Sequence, residues 1–314
     1  MKELNMIVRM HFGSFLYGTN TPESDQDYKG IFIPSKREVL LGHIPKSYNV
    51  SRKKAEGEKN TSDDVDIEIY SLHYFIKLAC EGQTVALDML HAPSSMIQES
   101  SYIWDYIVTN REKFYTKNLK AFVGYARRQS AKYCCKGSRL NALKEVIGFL
   151  EKNSDKILSD LWDTLPTGEH VYMIGKSPNG LEQYQVCGKI FQETVRTDYV
   201  LPILMRFYDN YGKRAEQAAR NEGVDWKSVS HAIRAAYQVR QLLTENTITF
   251  PLKDAPYLTK VKIGKLDYLT EVAPVLEGLM DEVEELSKQS ALPEKADYKF
   301  WDDFICEVMT DVLT

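Results

Sequence analysis

Residues 12–34 read FGSFLYGTNTPESDQDYKGIFIP, and the order of residue types in this stretch decides the fold. Before it, residues 5–12 (NMIVRMHF) form an apolar run of strand length that ends at Gly13-Ser14. Residues 15–24 carry Gly18, Asn20, Pro22 and Ser24, residue types that supply turns. Residues 25–33 then read as a second strand, stopped by Pro34. Asp25 and Asp27 stand at i and i+2, so on a strand both carboxylates project from one face.

Working outward, SKREVLLG (35–42) predicts a short helix closed by Gly42, and the polar stretch 46–62 an exposed loop or hairpin tip. DVDIEIY (64–70) alternates cleanly. Asp64, Asp66 and Glu68 fall on one face and Val65, Ile67 and Ile69 on the other, as in a half-buried strand. SLHYFIKLACE (71–81) follows as an amphipathic helix with Ser71 at its N-cap. Past residue 115 the spacing turns helical, with segments near 117–134, 138–153, 198–222, 226–245, 267–289 and 297–313. One interruption, residues 171–188, reads as a hairpin turning at Asn179-Gly180. The expected class is α+β. A small mixed-sheet domain covers 1–115, and a mainly helical domain covers 116–314 with a hairpin insertion near 170–190.

With 314 residues, two domains are the natural expectation, and 43% hydrophobic with 27% charged residues excludes a disordered or fibrous chain. The net charge of −4 means that contact with a polyanion must come from local basic patches or metal ions. The five cysteines show no zinc-ligand spacing and read as free thiols in a reducing compartment. The N-terminus lacks the pattern of a signal peptide, and no apolar run approaches the roughly 20 residues of a membrane helix, so the expected location is cytoplasmic. There is no phosphate-binding loop of the G-x-x-x-x-G-K-S/T kind, and the sequence offers no Ser-His-Asp or Cys-His set.

Two-metal phosphoryl chemistry needs several carboxylates on a rigid frame, holding cations about 3.5–4 Å apart. Asp25 and Asp27 on one strand, with any of Asp64, Asp66 or Glu68 on another, would supply them. Gly13 would let the backbone approach a phosphate, and the Ser14 hydroxyl would add a hydrogen bond. Positive charge for a phosphate ligand has two candidate sources. In WKSVSHAIRAAYQVRQLL (226–243), Lys227, His231, Arg234 and Gln238 form one polar stripe opposite Val229, Ile233 and Leu243; the alternative is a solvated helix face. In residues 125–139, Arg128 and Lys132 precede Lys136-Gly137-Ser138-Arg139. That loop reads either as an anion nest or as a helix end capped by Gly137. Tyr17 is the aromatic best placed to stack on a base.

Gly-Ser, about ten residues, D-x-D, then a carboxylate on a later strand resembles the nucleotidyltransferase superfamily that includes DNA polymerase beta. More narrowly, Gly13, Ser14, Tyr17, Gly18, Thr21, Pro22, Ser24, Asp25, Asp27 and Gly30 are similar to the pattern of predicted nucleotidyltransferases associated with RNA repair. The resemblance is strong over residues 8–93 and looser at VKIGK (261–265) and LPEKAD (292–297). It implies two magnesium ions, with manganese as an alternative, held by Asp25, Asp27 and Asp66, the last five residues before the Ser-Leu that opens the next helix. It also implies a nucleoside triphosphate substrate. The candidate nucleotide-binding residues are then Gly13, Ser14, Tyr17, Ser24, Lys136, Lys227, His231 and Arg234. The implied reaction is nucleotidyl transfer to an RNA 3′ end with release of pyrophosphate. The alternatives are a protein or small-molecule hydroxyl as acceptor, or a regulatory module that binds a nucleotide without transfer.

Overall fold

The N-terminal apolar run forms strand β1 (Asn5–His11), and the segment after the turn forms β2 (Gln26–Ile33), paired antiparallel with β1. These elements belong to a computed structural model that describes residues 4–50, 61, 63–117 and 137–314. Between the two strands lies a short helix α1 (Gly13–Tyr17), so the expected Gly-Ser turn is the first turn of a helix. Helix α2 (Lys36–Leu40) is opened by a capping box between Ser35 and Glu38.

Strands β3 (Ser47–Val50) and β4 (Val65–Ser71) pair antiparallel, and β4 runs parallel to β2. The start of the polar stretch at 46–62 is therefore a strand, because Ser47, Tyr48, Asn49 and Val50 complete the ladder against Ile67–Tyr70. Helices α3 (Leu72–Cys80) and α4 (Thr84–Leu90) follow, then β5 (Ile97–Ser100) and α5 (Tyr102–Thr109). Ser71 occupies the N-cap of α3, but its hydroxyl turns to the carbonyl of Lys46 instead of capping the helix. The sheet order is β3-β4-β2-β1-β5. Its buried residues Val8, Met10 and Ile31 share a core with Leu72, Phe75 and Ile76 of α3 and with Leu87 and Leu90 of α4. Trp104 of α5 meets Phe75 edge-on at 5.8 Å.

Further along run α6 (Gly137–Lys152), strands β6 (Val171–Lys176), β7 (Glu182–Val186) and β8 (Lys189–Gln192), and α7 (Thr197–Ala219). The chain ends with α8 (Trp226–Glu245), α9 (Ala255–Lys262), α10 (Ala273–Gln289) and α11 (Tyr298–Leu313). At 52% helix and 18% strand, with a mixed N-terminal sheet and a helical C-terminal region, the chain is the α+β protein expected. The expected hairpin is present as β6 and β7, and β8 adds a third antiparallel strand.

The chain divides into two units, and not at residue 115. One unit comprises Met1–Ser130, Trp226–Leu266 and Pro274–Thr314; the other comprises Ala131–Asp225 and Asp267–Ala273. Helices α8, α9 and α11 join the sheet's unit because their apolar faces are buried within it. Phe114 stacks on Trp301 at 3.9 Å, and the Leu252 amide donates to the Tyr17 carbonyl. The second unit has its own core, where Leu143, Val146 and Leu150 of α6 meet Tyr184, Val186 and Phe191 of the small sheet and Val200 and Leu204 of α7. Among the described residues, no helix is long and apolar enough to cross a membrane, and Cys80, Cys187 and Cys306 are unbridged. Cys134, Cys135 and the helix expected near 117–134 lie outside the described residues.

Candidate active site

The parallel pairing of β2 with β4 fixes the centre of the site. Its register sets Asp27 directly beside Asp66, so both carboxylates point from the same face of the sheet. Asp25, just ahead of β2, joins them. One carboxylate oxygen from each of the three lies within 4.8 Å of the others, an arrangement able to hold a metal ion. Burial and the neighbouring carboxylate of Asp25 push Asp27 above the ordinary carboxylate range, and Asp66 adds to this; Lys29 and Lys227 work against it. Crowded acids of this kind are relieved by a cation, so the donor set fits hard divalent ions such as magnesium.

The three alternatives for the third carboxylate separate cleanly. Asp64 is buried and accepts from the Thr61 amide at 2.8 Å and the Thr61 hydroxyl at 3.2 Å, so it builds the turn before β4. Glu68 is taken by Lys29 at 2.5 Å and by the Tyr70 hydroxyl at 2.6 Å. Burial alone would raise its pKa, but the hydrogen bonds from Lys29 and Tyr70 outweigh it and the net shift is downward.

Gly13 lies against this cluster with φ +63°, and a Cβ there would come within 2.0 Å of Asp27 Oδ2. Both the left-handed backbone and the close approach require glycine. Ser14 Oγ is buried without a hydrogen-bond partner among the described residues, beside the carboxylates in the same cavity. An orphaned hydroxyl at this place suits a ligand oxygen.

The cavity, about 310 Å³, is completed by α8 and α9. Lys227, Ser230, His231 and Arg234 come from α8, and Leu258 and Lys262 from α9. Three members of the polar stripe of α8, Lys227, His231 and Arg234, therefore line the same cavity as the carboxylates, with Lys227 also open to solvent. The stripe's fourth member, Gln238, is fully buried below the cavity and donates to Asp88 Oδ1 at 2.6 Å. Lys262, absent from the candidates read in the sequence, reaches the Thr19 carbonyl at 3.5 Å. Burial and the adjacent Lys227 lower its pKa, while Asp25 and Asp27 oppose the shift. Three carboxylates thus face Lys227, Lys262 and Arg234 across one cleft.

Other sequence candidates have different places. Tyr17 lines the cavity but is not open for stacking. The Arg234 guanidinium covers its ring at 3.7 Å, and its hydroxyl donates to Asp88 at 2.8 Å. Ser24 does not line the cavity; its Oγ accepts from the Thr21 amide at 2.9 Å and closes the turn before β2. Lys136 lies outside the described residues, and α6 begins at Gly137, so residues 137–139 are helix and not loop. Sequence reasoning also missed Lys29 and Asp88. Lys29 was legible in principle, since it shares the face of Asp27 two residues on.

Residues 1–147 match the model of the RNA repair pathway DNA polymerase beta family. Over 96% of its length the chain is 37% identical to an uncharacterized 38.9 kDa protein from the nrdC-mobD intergenic region of Enterobacteria phage T4, and covers 96% of that protein. No solved structure matches the chain.

Proposed function

The chain belongs to the RNA repair pathway DNA polymerase beta family, and we propose on that footing that it is a divalent-metal-dependent nucleotidyltransferase acting on an RNA 3′ end. The observation that carries the reading is the Asp25–Asp27–Asp66 cluster facing a wall of cationic side chains across a single cavity. Asp25, Asp27 and Asp66 would hold two magnesium ions, or manganese in their place. When bound, these ions neutralise a nucleoside triphosphate and lower the pKa of the attacking hydroxyl. Lys227, His231, Arg234 and Lys262 would bind the phosphate tail, and Gly13 and Ser14 would contact it from the sheet side. The acceptor oxygen attacks the α-phosphorus, the bond to the bridging oxygen breaks, and pyrophosphate carries away the electron pair. The protein contributes positioning and charge more than covalent chemistry. The catalytic role falls to the unit that contains the sheet, since every residue of the cavity belongs to it.

The test is incubation of the purified chain with each α-labelled nucleoside triphosphate and Mg2+. The acceptors are RNA with a free 3′-hydroxyl, the same RNA with a 3′-phosphate, and a pool of protein. Label on the 3′-hydroxyl RNA alone is expected. Label on protein would move the acceptor to a protein hydroxyl. Nucleotide binding without label on any acceptor would leave a regulatory binding module.

A further inference from the structure

Helix α4 reads TVALDML, and Ala86, Leu87, Met89 and Leu90 around Asp88 are all buried. Asp88 itself has no solvent exposure. Burial pushes its carboxyl up to about 6, against the pull of Arg234 and hydrogen bonds from Tyr17 and Gln238. A buried ion pair is weak evidence for stability, because an apolar replacement of similar size often does as well. The position of the partners points to another use. Asp88 Oδ2 accepts from the Tyr17 hydroxyl at 2.8 Å and lies 3.5 Å from Arg234 Nη1, while Oδ1 accepts from Gln238 at 2.6 Å. Tyr17 and Arg234 both line the cavity that holds the carboxylates. The guanidinium is thus stacked on the Tyr17 ring and ion-paired through Nη1 with Asp88, with its side chain only 13% exposed. A planar fork fixed in this way presents a set geometry to an anion and loses little freedom on binding it.

We infer that Asp88, itself fixed by Gln238, is a positioning residue for the nucleotide's phosphate tail, holding Arg234 directly and through the Tyr17 ring as a fixed anion contact that favours triphosphate over monophosphate. The inference rests on the triphosphate reading of the cavity. Removing a negative charge would by itself tighten anion binding, so the sign of the effect separates positioning from simple electrostatics.

The experiment is equilibrium binding of inorganic tripolyphosphate and of inorganic phosphate, each with Mg2+, to the full chain. Tripolyphosphate carries no base, so the identity of the nucleotide does not enter. Wild type is expected to prefer tripolyphosphate. Asp88→Asn should weaken it about tenfold, and Tyr17→Phe, which keeps the ring and every charge, about threefold. In an Arg234→Ala background, Asp88→Asn should cost nothing further. Unchanged or tighter binding in both Asp88→Asn and Tyr17→Phe overturns the inference, as does an undiminished loss in the Arg234→Ala background. If circular dichroism shows that Asp88→Asn does not fold, Tyr17→Phe decides alone. Wild type that fails to bind tripolyphosphate overturns the triphosphate reading itself and the inference with it, whereas tight wild-type binding with unaffected variants overturns the inference only.

Discussion

The two walls of the cleft are built in opposite ways. The acidic wall comes from paired strands, with Asp27 and Asp66 brought side by side by one register of a parallel ladder. The basic wall comes from helices α8 (Trp226–Glu245) and α9 (Ala255–Lys262), far along the chain, and rests on the buried Asp88–Gln238 contact and the Tyr17–Arg234 stack. Strand geometry sets its carboxylates rigidly, because slipping the register by one residue would turn Asp66 to the other face of the sheet. The helical wall depends on side-chain packing across long sequence distances. The acidic wall is therefore expected to govern the chemical step, and the basic wall the binding of the phosphate tail.

The largest effect would come from the acidic wall. Asp25→Asn and Asp27→Asn should each reduce kcat by about a thousandfold or more with the fold intact, measured as single-turnover transfer beside circular dichroism. The same losses in KM with kcat preserved would break the proposed division of labour. Next in size, Lys227→Ala and Lys262→Ala should each raise KM for the triphosphate by roughly tenfold with a smaller change in kcat, the pattern of lost uniform binding. A loss confined to kcat would move these lysines into the transition state.

Asp27 also sharpens the comparison through stability. Its folded pKa is raised by burial and by Asp25, so the folded, metal-free protein binds a proton more readily than the unfolded chain. The contribution of this group is complete below the unfolded carboxylate pKa and is lost as pH rises through the folded value. Asp27→Asn should therefore raise the Tm of the metal-free protein at neutral pH and flatten that part of its pH dependence, while removing the thermal shift produced by Mg2+. Scanning calorimetry in EDTA and in Mg2+ checks both. The smallest effect belongs to the Lys29–Glu68 pair, whose partners are 20% and 31% exposed. Glu68 titrates below its ordinary value of 4.5, so its stabilisation is complete above that value and fades as pH falls through the folded pKa. Glu68→Gln should cost about 1 kcal/mol at pH 7 in urea unfolding, with the difference from wild type shrinking in acid.

The two walls were unequally legible in the sequence for the same reason that they differ in structure. Asp25 and Asp27 stand out because strand periodicity is local and the turn formers around them fix where the strand begins; the alternation at 64–68 left Asp64, Asp66 and Glu68 open, and it is the pairing of β2 with β4 that brings Asp66 beside Asp27. The helix over 226–245 was legible to its ends, and so was the stripe it carries. What the stripe faces was not, because a helical pattern cannot say whether a polar face meets water or another polar wall. Lys262 escaped notice because α9 is one short helix whose buried Leu258 and Val261 give little periodic signal. Asp88 escaped because a single acid in TVALDML has no local partner; its donors Tyr17 and Gln238 and its ion-pair partner Arg234 arrive from distant parts of the chain. The unit boundary was misplaced at 115 because apolar helix faces do not reveal which core they join.

Asp25, Asp27 and Asp66 are proposed to form the metal-dependent centre of nucleotidyl transfer. The most direct test is the rate of α-label transfer to RNA by wild type, Asp25→Asn and Asp27→Asn, each with Mg2+ and with EDTA. Transfer by wild type is expected in Mg2+ and not in EDTA, with none above background in either variant although both remain folded. Transfer by both variants at the wild-type rate, or wild-type transfer that persists in EDTA, would contradict the proposal.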